Sequence, residues 1–151
     1  MPEDEDPFVQ LPMTLPTAQT ALNHEVASAI LNDVPRNRLL ASLPPEVLEQ
    51  ILPTLTHVSL PSGMIIYEPE VRITYVYFVL TGIISMVSEM REGTVEVGTV
   101  GCEGMTGVPI ALAADTMPSR AFVQVPGEAL RMTADALTLA MEEVPAFRRL
   151  V

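Results

Sequence analysis

The sequence predicts a mainly β domain with flanking helices, an α+β chain whose strands form a sandwich, jelly roll or small barrel. Three observations carry this. From Thr56 to Arg131 apolar residues alternate with period two in short Val-, Ile-, Tyr- and Phe-rich runs, each bounded by glycine, proline or a charged turn. Before residue 56 and after residue 132 the apolar spacing becomes helical. The 151 residues, 48% apolar and 18% charged, suffice for one core and exclude wholesale disorder.

Residues 1–20 read as an acidic, proline-rich tail, solvated or pinned by Phe8, Val9 and Leu11. Residues 21–55 carry three short helices. In residues 21–33, Leu22, Val26, Ala29 and Ile30 fall on one face, with Thr20 as a candidate cap and Pro35 beyond the end. A second helix starts near Asn37 and places Leu39, Leu40 and Leu43 inward. In SLPPEVLEQILPTL, Ser42 or the turn after it is the cap and Pro44 and Pro45 suit a first turn, where no amide is needed. Val47, Leu48, Ile51 and Leu52 form the buried face, and Pro53 ends it.

Residues 56–132 hold the strands HVSLPSG, MIIYE, TYVYFVLTG, IISMVSEM, TVEVGTV, RAFVQVPG and EALRM, with Gly63, Gly82, Gly93, Gly98 and Gly127 as punctuation. MREGTVEV reads as a hairpin turning at Glu92-Gly93. Helix returns in residues 133–151. Thr133 or Asp135 caps a segment burying Leu137, Ala140 and Met141, and Pro145 opens another. There Phe147, Leu150 and Val151 keep helical spacing with no cap or terminating glycine, which suggests a helix that continues in a longer protein. Glu142, Glu143, Arg148 and Arg149 suit spaced ion pairs worth tenths of a kcal/mol. Met86, Met90, Met105, Met117, Met132 and Met141 suit an adaptable interior.

Composition narrows the function. Nineteen acids against eight bases, none of them lysine, give a net charge of −11, which repels phosphate backbones and argues against direct nucleic-acid binding. One cysteine excludes an internal disulfide and a multi-cysteine cluster. His24 and His57 cannot supply three histidines to a metal, which weighs against a cupin-type metalloenzyme. No apolar run approaches membrane-spanning length, and the acidic N-terminus is unlike a signal peptide, so a cytoplasmic location and no membrane partner are expected. Glu68, Glu70, Glu89, Glu92 and Glu96 sit at strand ends or a turn, where a solvated role is expected. No nucleophile elbow, phosphate loop or zinc-helix motif occurs, and the chain reads as no enzyme.

The order of segments is specific. NRLLASLPPEVLEQILPTLTHVSLPSGMIIYEP, TYVYFVLTGIISMV, GTVGCEGMTGVPIAL and SRAFVQVPGEALRM together resemble the sensory domain of the Crp/Fnr family of bacterial transcription regulators, over about residues 37–151. The resemblance implies a double-stranded β-helix of the cyclic-nucleotide-binding-like type and a long C-terminal helix that pairs two subunits into a homodimer. It also implies DNA binding only through a winged domain absent from this chain. It makes Phe147, Leu150 and Val151 the start of the dimer helix, and cyclic AMP or cyclic GMP the candidate effectors.

The candidate effector cassette comprises Gly101, Glu103, Gly104, Met105, Gly107, Val108, Ser119, Arg120 and Ala121. Gly98, Gly101, Gly104 and Gly107 permit positive φ and close backbone approach ahead of a short helix. In nucleotide-binding members a Glu after the last glycine takes the ribose, and an Arg two residues before an Ala pairs with the phosphate. Here Val108 follows Gly107, Ser119 stands two residues before Ala121, and Arg120 is one residue off, which turns a strand side chain to the opposite face. Glu103 is the alternative acid, and a bulge near Pro118 is the way Arg120 would be recovered. The expectation is therefore a degenerate pocket. Cys102 reads as a small filler or an oxidant-sensing thiol, and His57 as structural. Two other classes stay open: a free-standing module regulating a partner protein, and the cupin-type enzyme.

Overall fold

The computed structural model describes residues 18–149 and 151. The predicted tail, apart from residues 18–20, and Leu150 lie outside the described residues. The chain opens with α1 (Ala18–Asp33), a 3-10 turn (Val34–Arg36), α2 (Arg38–Ala41), α3 (Pro45–Ile51) and a second 3-10 turn (Leu52–Thr54). The strands are β1 (Thr56–Leu60), β2 (Ile65–Tyr67), β3 (Tyr75–Met90), β4 (Gly93–Val100) and β5 (Arg120–Thr133), with α4 (Val108–Ala111) between the last two. Helices α5 (Ala134–Glu143) and α6 (Pro145–Arg148) follow.

All the strand pairings are antiparallel, in the order β1-β5-β3-β4, with β2 also on β5. The two long central strands correct the sequence reading, which divided each in two. Gly82 and Gly127 do not end strands. They bend them, and the ladder continues through register shifts between Val79 and Ile84. The cause is a close crossing. A Cβ on Gly127 would lie 2.0 Å from the Thr81 carbonyl oxygen, and one on Gly82 would lie 2.5 Å from that of Val125. At the β3–β4 hairpin Gly93 pairs with Met90, so Arg91-Glu92 forms the turn and Gly93 opens β4 with φ +132.

One core joins the sheet to the flanking helices. Phe78, Ile84, Leu130, Leu137 and Phe147 are fully buried in it with Leu40 and Ile51. Thr133 caps α5 by accepting from the Ala136 amide at 3.1 Å. Pro44, without a side-chain hydrogen bond, occupies the cap position of α3, not Ser42. Leu48 and Leu52 are half-buried beside Val47 and Ile51, and one 3-10 turn continues through Pro53.

Four further expectations are corrected. Helix α1 extends back to Ala18, so Thr20 lies within it, and its expected buried face is covered only at Ile30: Leu22 is 55% and Val26 52% exposed. Phe147, assigned to a dimer helix, is 0% exposed and packs in the chain's own core, where α6 lies against α5. Val151 is half-buried against that core. Arg148 forms no ion pair with Glu142 or Glu143 among the described residues, since Pro145 interrupts the helix on which that spacing was counted. Met90 is 60% exposed at the hairpin, whereas Met105, Met117 and Met132 are buried.

The β3–β5 crossing yields a prediction. Gly127→Ala must push Cβ into a backbone oxygen and should lower unfolding free energy by about 1–3 kcal/mol or more. Gly104→Ala, whose Cβ meets only Val100 at 3.8 Å, should change it by about 0.5 kcal/mol at most. Urea unfolding followed by circular dichroism compares the two, and equal midpoints would refute the crowding account.

Candidate functional site

The cassette between β4 and β5 is built on a few directed bonds. The turn at residues 101–104 closes through the Gly104 amide donating to the Gly101 carbonyl at 3.2 Å. Cys102, exposed in this turn, accepts from the Arg38 amide at 2.8 Å through its carbonyl. Glu103 turns back onto its own loop. Its carboxylate is exposed and accepts from the Gly101 amide at 2.8 Å. That bond, its own amide and nearby Arg38 hold its carboxyl below the usual carboxylate range, against a small desolvation effect.

The next residues enter the core. Met105 bridges to Phe78, and the Thr106 amide donates to the Tyr77 carbonyl at 2.9 Å. The Thr106 hydroxyl is 2.8 Å from the Tyr67 hydroxyl and accepts from the Tyr77 amide at 3.1 Å. Tyr67 donates its only proton to the Tyr75 carbonyl at 2.7 Å, so Thr106 is the donor to Tyr67. Burial is the larger influence on Tyr67 and raises its pKa, with Tyr77 adding and the Thr106 bond opposing.

Among the four glycines of this stretch only Gly107 has a positive φ, +83, and it is the N-cap of α4. A Cβ there would be 2.4 Å from Val76 Cγ1, so both conformation and space require glycine. Val108, next in the chain, is 45% exposed and offers no polar group.

At the far end of the cassette the strand register decides the chemistry. Arg120, Ala121, Phe122 and Val123 pair in unbroken succession with Val87, Met86, Ser85 and Ile84. The irregularity beside it in the β2–β5 ladder lies at Ile66 on β2 and leaves β5 in step, so no bulge in β5 recovers Arg120. Ser119, Ala121 and Val123 are buried, while Arg120 and Phe122 alternate outward. Ser119 is 2.8 Å from Ser88 through their hydroxyls. Arg120 Nε donates to Glu68 at 2.9 Å, with both side chains over 40% exposed. An exposed pair of this kind contributes about 0–1 kcal/mol.

Asn37 is the residue whose weight the sequence reading missed. Read only as a helix start, it is fully buried. Its Nδ2 donates to the Val79 and Gly104 carbonyls, both at 2.8 Å, and its Oδ1 caps α2 by accepting from the Leu40 amide at 3.0 Å. It thus ties the leading helices, β3 and the cassette together. Asparagine at a helix start signalled the cap. Glu96 and Glu68, expected to be merely solvated, accept from Ser85 and Arg120. His57 is 3.8 Å from Asp33 and 3.6 Å from Glu128, beside the Arg36 ion pairs to the same two acids.

Residues 57–143 match the model of the cyclic nucleotide-binding domain. The chain belongs to that family. No curated protein matches the chain significantly. Among solved structures it is similar to the regulatory subunit of a cAMP-independent protein kinase A from Trypanosoma brucei, with 12% identity and a TM-score of 0.71, over 83% of this chain and 47% of that one. It is similar to the sensor domain of the transcriptional regulator DNR from Pseudomonas aeruginosa, with 14% identity and a TM-score of 0.65, over 82% and 83%. It is also similar to a cyclic nucleotide-binding-like protein from Brucella abortus, with 23% identity and a TM-score of 0.58, over 74% and 98%. This chain spans about half the length of the kinase subunit. These likenesses show the fold, an antiparallel jelly roll of the cyclic nucleotide-binding type with flanking helices.

Two predictions follow from the cyclic nucleotide-binding domain's internal bonds. Asn37→Ala leaves two buried carbonyls and a helix amide without partners and should cost about 2–4 kcal/mol in urea unfolding. A loss under about 0.5 kcal/mol would contradict its clamping role. For Tyr67 the folded pKa lies above the ordinary value of about 10. The folded state therefore retains a proton that the unfolded state releases. The associated stability is fully present below about pH 10 and is lost as pH rises through the folded value. Tyr67→Phe should be about 1 kcal/mol less stable at neutral pH, and the gap should narrow above pH 10. A gap constant with pH would refute this.

Proposed function

We propose that this chain is the effector-sensing and dimerisation module of a Crp/Fnr-like transcription regulator whose cyclic-nucleotide pocket is degenerate. The outward Arg120 carries the second half of that reading. Paired with Glu68 on the exposed side of β5, it leaves the buried Ser119 at the position to which the resemblance gives the phosphate-binding guanidinium. A charge-assisted pair needs its guanidinium on target, and Val108 supplies no carboxylate for a ribose. The likeness to the DNR sensor domain, over 83% of that chain, supports the regulator role. In this reading the module acts in the cytoplasm as part of a homodimer. It binds a regulatory signal without catalysing a reaction, and reaches DNA only through a separate C-terminal domain.

A second reading is a free-standing module that regulates a partner protein. The Brucella abortus chain, of which 98% is covered, and the kinase regulatory subunit favour it. The coding sequence beyond Val151 separates the two: a winged helix-turn-helix domain supports the regulator, a stop codon the partner-binding module.

Calorimetric titration with cyclic AMP and cyclic GMP tests the pocket. The native chain should give no saturable heat, and the double variant Val108→Glu with Ser119→Arg should acquire saturable cyclic AMP binding. Micromolar binding by the native chain would overturn the degenerate pocket.

A further inference from the structure

A cavity of about 460 Å³ lies on the outer side of the cassette, between α4 with the loop after it and α5. Its size falls within the range of about 300–1,000 Å³ typical of small-molecule sites. Its charged lining is of both signs: Arg72 and Arg148, with Asp115, Asp135 and Glu142. None of these five side chains has an ion pair or side-chain hydrogen bond among the described residues.

The apolar part of the wall includes Met141, Ile110 and four alanines. Ala113 has φ +62, a conformation uncommon outside glycine. Its turn bends the chain so that the Asp115 carbonyl accepts from the Ile73 amide at 2.8 Å, which joins the loop to the segment carrying Arg72. From Asp135 to Glu142 the helix rises about 10 Å, so the two lining carboxylates of α5 are set well apart, with Thr138 and Met141 of the lining between them.

We propose that this cavity binds a small zwitterion with an apolar body, of the class of the aliphatic α-amino acids. Its carboxylate takes a guanidinium, its ammonium takes a carboxylate, and its side chain covers the alanines and Met141. A simple anion meets the three acids, and a simple cation meets the two arginines. Only a ligand carrying both charges uses both kinds of unpaired group. The site is separate from the interior of the roll and does not depend on which regulatory role the chain plays. A bound ligand would contact both the cassette and α5, which gives it a means of coupling them.

The test uses the full chain with L-leucine, L-isoleucine and L-methionine, read by amide nitrogen–proton correlation spectra and thermal melting. At least one should give saturable shifts confined to residues 110–115 and 134–142, with a raised melting temperature. The leucine analogues lacking either the amine or the carboxylate should bind at least about tenfold more weakly. Arg72→Gln and Arg148→Gln, at exposed positions that should leave the fold intact, should each weaken the response. Absence of shifts with all three amino acids at millimolar concentration would overturn the proposal. So would shifts confined to residues 84–88 and 119–123, or equal binding of the single-charge analogues. Cyclic-nucleotide titration is read at a different site, so either proposal can fail without the other.

Discussion

Asn37 presents no surface to solvent, and its amide joins three segments far apart in sequence. The cassette hangs from this point. Gly104 is held by Asn37, Thr106 is locked to Tyr67 and Tyr77, and Gly107 turns in a space too small for a side chain beside Val76. Buried polar groups satisfied in this way are costly to disturb singly, because each deletion orphans its partners in a desolvated setting. The start of the cassette is thereby fixed to β3, while residues beyond it carry fewer such ties. Val108 and Leu112 are exposed, and α4 is a single turn. Any motion that signals is more easily accommodated after Gly107 than before it.

Much of the fold was legible because it rests on local rules. Period-two alternation marked the strands, and Thr133, Asn37 and Pro145 marked helix starts that the structure bears out. The mistakes have one physical source. Gly82 and Gly127 look like strand ends in one dimension, yet each is demanded by the other's strand, which passes against it. Helix α1 shows an apolar face, but periodicity cannot say how much of it is covered, and Leu22 and Val26 remain more than half exposed. Phe147 was assigned to an intermolecular face, but with Val144 it is buried in the chain's own core.

The candidate site divides along the same line. The outward direction of Arg120 was readable from the sequence, since a strand has only two faces and Ala121 fixes which one is buried. Thr106 was not readable. Its two partners, Tyr67 of β2 and Tyr77 of β3, lie 39 and 29 residues away. Nor were the five unpaired charges beside α4 and α5, which lie up to 76 positions apart, from Arg72 to Arg148, and share a cavity only through the way the helices pack.

The hydroxyl pair of Ser88 and Ser119 bears on what the roll can hold. It is neutral, and Ala121 beside it is fully buried. A phosphate diester brought to that position would lose its hydration without gaining a guanidinium, and desolvating an unpaired charge costs several kcal/mol. Ser85 does not compensate, since it pairs with Phe122 and so lies on the other face of the sheet, where its hydroxyl donates to Glu96 at 2.6 Å. In the proposed reading, this position therefore offers an anion nothing to pair with. The arginine nearest to it in sequence is committed to Glu68 on the other face of β5, and moving it inward would require a one-residue slip of the strand that would also expose Ala121 and Val123. The hydrophobic pattern that holds β5 in register is thus the same constraint that keeps Arg120 away from the interior.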